Sequence, residues 1–90
     1  SPFWAQVAGA GVPAHGNGVT DVAHDTTGHY QVSFVRRDVS DCAFVATATG
    51  GYVGVITTTP GNDGTLDVWV FSLNGTEQDW PFHIAAFCPK

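Results

Sequence analysis

Positive charge is nearly missing from this sequence. Arg36, Arg37 and Lys90 are its only cations, against eight acidic residues and a formal net charge of −5. Binding to a nucleic-acid backbone needs a basic stripe that displaces counterions, so DNA and RNA are excluded as partners. An anionic membrane surface repels the chain for the same reason. Long hydrophobic runs are also lacking: no stretch of about 18 apolar residues occurs, and no membrane span is expected. Methionine is absent, and no signal-peptide pattern is visible. The chain opens Ser-Pro-Phe-Trp and is expected to be a mature product or an excised domain. Charged residues are scarce overall, at 12%, about half the usual share.

Apolar residues take their place. Hydrophobic residues reach 43% and aromatic ones 12%, which excludes a disordered chain. Ninety residues make one domain, spanning 1–90 and near the lower size limit for unaided folding. Cys42 and Cys88 are the only cysteines, and both sit in strand-like runs. They read as a disulfide formed in an oxidising compartment. The alternative is two buried free thiols.

No segment shows helical periodicity. Apolar residues recur at spacing two, or run on for four to eight positions between turn residues. This pattern predicts strands at Phe3–Ala8, Gly18–His24, His29–Arg36, Cys42–Ala48, Tyr52–Thr58, Leu66–Ser72 and Phe82–Cys88. Turn chemistry separates them at Asp25–Gly28, Gly50-Gly51, Pro60–Gly64 and Asn74-Gly75. The expected fold is all-β: a small antiparallel sandwich or barrel of about seven strands with one disulfide. Residues 1–17 form the N-terminal strand and loop, the part least marked by pattern.

The side-chain alternation specifies faces. For the hairpin at Asp25–Gly28, setting His24 opposite His29 places Val22 against Gln31 and Val19 against Phe34. Val19 and Val22 then have opposite parity, which a bulge would reconcile. With the cysteine parity turned inward, Cys42, Phe44, Phe82, Ile84 and Cys88 form a core. Val45, Trp69, Phe71, Ala85 and Phe87 then point outward. Antiparallel sheets normally show water a polar face, and soluble monomers seldom expose large apolar patches. Association with identical copies is therefore expected through these five residues. The N-terminal Phe3, Trp4 and Val7 are expected to cover part of the same surface. The alternative is a closed sandwich that uses both parities within one chain.

Several phrases carry a family resemblance. The stretch GVTDVAHDTTGHYQVSFVRRDVSDCAFVATATG and the later VWVFSLNGTEQDWPFHIAAFC resemble a β domain of secreted actinobacterial proteins. That domain often forms a C-terminal head after collagen-like or low-complexity repeats. Gly28, Tyr30, Val32, Phe34, Arg36, Val39, Cys42, Ala43, Val45 and Ala46 fall on its pattern, as do Pro81, Phe82, His83 and Cys88. Phe44 stands where Tyr is common, and Trp80 where Arg is common. The match spans roughly residues 18 to 88. It implies an extracellular β domain, a Cys42–Cys88 bridge and a homotrimer, since collagen-like stalks are three-stranded. The chain itself contains no Gly-X-Y repeat, and the resemblance carries over no activity and no functional residue.

Chemistry-bearing residues are few. His24 and His29 flank one turn and, with Asp25, have the donor types for Zn²⁺ or Cu²⁺. Zinc takes three or four ligands, so the plainer reading is a solvated hairpin end, and no metal or other cofactor is expected. His83, within the apolar Phe82–Cys88 run, reads as a hydrogen-bonded interior or interface residue. No G-x-S-x-G elbow occurs, a bonded Cys42 is no nucleophile, and the acids are scattered at turns, so no catalysis is expected. Pro60–Gly64 lacks the spaced ligands of a calcium loop and reads as a turn. Trp4, Tyr52 and Trp80 offer either a platform for stacking sugar rings or anchors of a protein interface. The expectation is a secreted, self-associating structural or adhesion module, trimeric or filamentous. The alternative is a carbohydrate- or receptor-binding tip.

Overall fold

A computed structural model describes residues 3–89 as eight strands with no helix. The strands are β1 (Phe3–Val7), β2 (Pro13–Asn17), β3 (Val19–Thr26), β4 (His29–Phe34), β5 (Ala43–Ala48), β6 (Gly54–Pro60), β7 (Thr65–Ser72) and β8 (Phe82–Phe87). They form two antiparallel sheets of four strands. Sheet I has the order β2-β1-β8-β5 and sheet II the order β3-β4-β7-β6. The fold is a small β-sandwich, and it has one strand more than the pattern predicts. The addition is β2, whose sequence Pro-Ala-His-Gly-Asn has no alternation and becomes a strand by pairing with β1. Residues 1, 2 and 90 of the expected domain lie outside the described residues.

The core lies between the sheets. Sheet I contributes Ala5, Val7, Phe82, Ile84 and Ala86, and sheet II contributes Tyr30, Val32, Phe34, Leu66, Val68 and Val70. Val39 enters from the connection between β4 and β5. Each fully buried Val, Leu, Ile or Phe side chain contributes about 1.5–3 kcal/mol relative to exposure. Tyr30 is the polar-tipped member. Its hydroxyl donates to the Gly9 carbonyl at 2.6 Å, and its ring meets Phe82 edge-on at 5.0 Å.

The inward parity of the cysteine-bearing strands is as the alternation predicts. Cys42 and Cys88 form the disulfide, across a Cα–Cα distance of 4.2 Å. They flank the Ala43–Phe87 pair and so close the end of the β5–β8 ladder. Arg36 reinforces that end, donating from Nε to the Asp38 carbonyl at 2.6 Å and from Nη1 to the Pro89 carbonyl at 2.9 Å.

The β3–β4 hairpin departs from the expected register. Val19 pairs with Phe34, but Val22 pairs with Val32 and His24 with Tyr30. Shifts between Val19 and Asp21 and between His24 and Thr26 absorb the difference. The first puts Val19 and Val22, at opposite parity in the sequence, against the same core. Pro60–Gly64 closes the β6–β7 hairpin, with the Thr65 amide donating to the Asn62 carbonyl at 3.2 Å.

Candidate functional site

Strand registers place the outward side chains of sheet I in rows. One row runs His15, Gln6, His83, Thr47 across β2, β1, β8 and β5. The next runs Asn17, Trp4, Ala85, Val45, and beyond it Phe87 lies beside Ala43. One end of the face is therefore polar and the other apolar. Trp4 is 40% exposed, Phe87 51% and Val45 61%. The four strands of sheet I contain no Asp, Glu, Lys or Arg. All eight acids of the chain lie in sheet II or in connections. Half of an acidic sandwich is thus uncharged.

The five residues expected to mediate self-association divide between two surfaces. Val45, Ala85 and Phe87 share the outer face of sheet I, whereas Trp69 and Phe71 lie on the outer face of sheet II. Trp69 is covered within the chain, because His29 stacks on it at 3.8 Å and 8°. Phe71 is flanked by the Glu77 backbone, which forms a bridge to it. On sheet II, Val55 beside Phe71 remains 48% exposed, whereas sheet I leaves open the longer apolar strip that contains Trp4, Val45 and Phe87. The N-terminal segment does not cover it either. β1 joins the sheet as a strand, turns Val7 into the core and adds Trp4 to the exposed face.

At the polar end, Gln6, Val7, Ala8, Thr49, Pro81 and His83 line a cavity of about 200 Å³. Tyr52 and Trp80 stack at 5.0 Å and 16° at the neighbouring corner, where Gly50 fits against Pro81 and the edge of Tyr52. Trp80, standing where the resembled pattern has Arg, thereby covers Tyr52 and packs over Gly54. Trp4 is not part of this stack. His83 faces outward between Gln6 and Thr47, so of its two expected settings the interior is excluded.

His24 and His29 lie on opposite faces of sheet II. His24 stacks on the inward-facing Tyr30 at 4.7 Å, and its Nε2 lies 2.8 Å from Asp79 Oδ1. His29 is on the outer face, with Nδ1 at 3.1 Å from Asp25 and Nε2 at 3.0 Å from Asp67. Among the described residues no group of three or more His, Cys, Asp or Glu side chains is placed to hold a metal ion. Asp79 also accepts the Gly28 amide at 2.7 Å. That bond holds its carboxyl below the usual carboxylate range, with a smaller contribution from His24 against the opposing effect of desolvation.

The alternation places Ala43 and Thr47 on the face of Val45, while Gln6 and His15 on the sheet I face are not singled out by the sequence. Each lies at the outward parity of its strand, so the signal was available once the strands were placed in one sheet. Asp79 carried no signal, since its partners are more than fifty positions away. Among the described residues no helix is long and apolar enough to cross a membrane. Comparison with known proteins gives no match, whether among family models, curated proteins or solved structures.

Proposed function

We propose that this chain is an extracellular structural module whose copies shield one another through the outer face of sheet I. The observation that supports this reading is an exposed apolar strip of Trp4, Ala43, Val45, Ala85 and Phe87 on a sheet without charges. Two such faces meet without bringing like charges of the sheet into contact, although each copy has a net charge of −5. Aromatic side chains are enriched at interfaces, and Trp is a frequent anchor. The disulfide fits an oxidising, extracellular setting. The resemblance adds a role as the head of a stalk or a filament subunit.

Sedimentation across a concentration series tests the reading. The expected result is a mass that is a multiple of 9.5 kDa, and Phe87→Glu should return it to the single-chain value with the fold retained. A single 9.5 kDa species at the highest concentrations would remove it.

A second reading rests on the polar end of the face. The cavity offers Gln6, Thr49 and His83 as hydrogen-bonding groups beside the half-exposed Tyr52. Its volume is below the ~300–1,000 Å³ of drug-sized ligand sites, so one sugar ring is the largest unit it suits. A glycan array with the wild type and Tyr52→Ala checks this: binding lost in the variant favours the reading, and no glycan bound removes it.

A further inference from the structure

The two sheets leave four edges, and three carry devices that resist the addition of another strand. β3 is bulged at two places and carries Asp21 and Asp25. β2 begins at Pro13, contains Gly16 and has a register shift opposite Gln6 and Val7. β6 begins at Gly54, ends at Pro60 and runs beside Asp67. β5 has none of these. Its sequence Ala-Phe-Val-Ala-Thr-Ala contains no Gly, Pro or charge, and its register with β8 is unbroken. Among the described residues β5 has ladder bonds to β8 on one side and no backbone bond on the other, although β6 of the second sheet passes close to it.

We propose that β5 pairs antiparallel with β5 of a second copy, across a two-fold axis normal to sheet I. This rests on the self-association reading and specifies the contact. Residues opposite one another in an antiparallel pair share a face, so outward residues must meet outward residues. A register centred on Val45 meets that condition. It sets Val45 against its own copy outside and Phe44 against Ala46 inside, large against small in both halves. The four strands of each copy then form one continuous sheet. The row Trp4, Ala85, Val45 continues into its symmetry mate on the same side. Electrostatics permits this edge and disfavours β3, where pairing would gather Asp21 and Asp25 of two acidic copies. A six-residue strand buries less than the ~1,200–2,000 Å² of a standard interface. The edge contact is therefore weak alone and strengthened when outer faces also pack. It builds assemblies with an even number of copies, in place of the three implied by the resemblance.

Amide hydrogen exchange on the wild-type protein, at concentrations above and below the assembly transition seen by sedimentation, tests the proposal. In the assembled protein every second amide of β5 should exchange about tenfold or more slowly than in the dilute one. The amides of β2, β3 and β6 should not change. Packing of outer faces alone leaves the β5 edge amides in water. An assembly without added β5 protection, or with protection on β6 instead, would overturn the edge contact and leave the self-association reading standing. A protein that never assembles would overturn both.

Discussion

The backbone amide of Gly28 donates to Asp79 at 2.7 Å, across 51 residues of chain. Gly28 closes the β3–β4 turn, and Asp79 lies in the connection to β8. The same carboxylate oxygen lies 2.8 Å from His24 Nε2, so one acid ties a hairpin tip to the segment that leads into sheet I. Asp79→Ala should lower stability by about 1–2 kcal/mol, since the bond joins a charged acceptor to a part-buried donor but is itself partly solvated. Thermal denaturation should show a fall of roughly 4–8 °C for each kcal/mol.

Gly28 itself should be less replaceable than Asp79. Its φ is +73°, and an added Cβ would lie 2.8 Å from the Val70 carbonyl oxygen and 3.0 Å from the Gln78 nitrogen. Gly51 has a similar φ of +85° with nothing within 4 Å. Gly51→Ala should therefore cost about 1–2 kcal/mol, the conformational penalty alone. Gly28→Ala should cost more, because backbone must also move. Equal denaturation midpoints for the two variants would contradict this.

Stability should fall at both extremes of pH, for different groups. The carboxyl of Asp79 is held down chiefly by the Gly28 amide, and that of Asp38 chiefly by the Ser40 hydroxyl. A folded pKa below the unfolded one gives stability that is present at neutral pH. It is lost as pH falls below about 4. The Tyr30 phenol is pushed up to about 12, first by burial and then by the Asp79 carboxylate. Its contribution is complete below about pH 10 and is lost as pH rises toward 12. Melting curves from pH 2 to 12 should show both limbs, and Tyr30→Phe should flatten only the alkaline one.

Reduction should be the largest single perturbation. The Cys42–Cys88 bond closes a loop with a sequence separation of 46, which corresponds to about 4 kcal/mol in the chain-entropy model. That is a large share of the ~5–15 kcal/mol typical of a domain. Denaturant titrations with and without reductant measure it directly. Arg36 should hold the Pro89 end in place in the reduced native state, so the loss appears as a lower midpoint with the fold retained.

Seven of the eight strands were legible because their apolar residues alternate and their turns carry Gly, Asn, Asp or Pro. The inward parity of Phe44, Phe82 and Ile84 followed from the same alternation. β2 was not legible, because Pro13 and Gly16 argue against a strand and only the β1 partner makes one. The hairpin register slipped by one because bulges leave no trace in a period-two pattern beyond the mismatched Val19 and Val22. Period two also states which residues share a face of a strand, but not which sheet the strand joins. For that reason the alternation groups Trp69 and Phe71 with Val45, Ala85 and Phe87, and only the topology separates them.

The place of β8 between β1 and β5 sets an order of events during synthesis. Every strand of sheet II has emerged by Ser72, and that half of the sandwich has all its hydrogen-bonding partners in hand. Sheet I at the same moment is a hairpin and a solitary strand with nothing to join them. Only when Phe82–Phe87 leaves the ribosome can the two pieces be sewn together and the sulfur of Cys42 find Cys88. Until then the nascent chain carries Phe44 and Val45 on a strand unpaired along both edges, the stage at which a chaperone has most to protect.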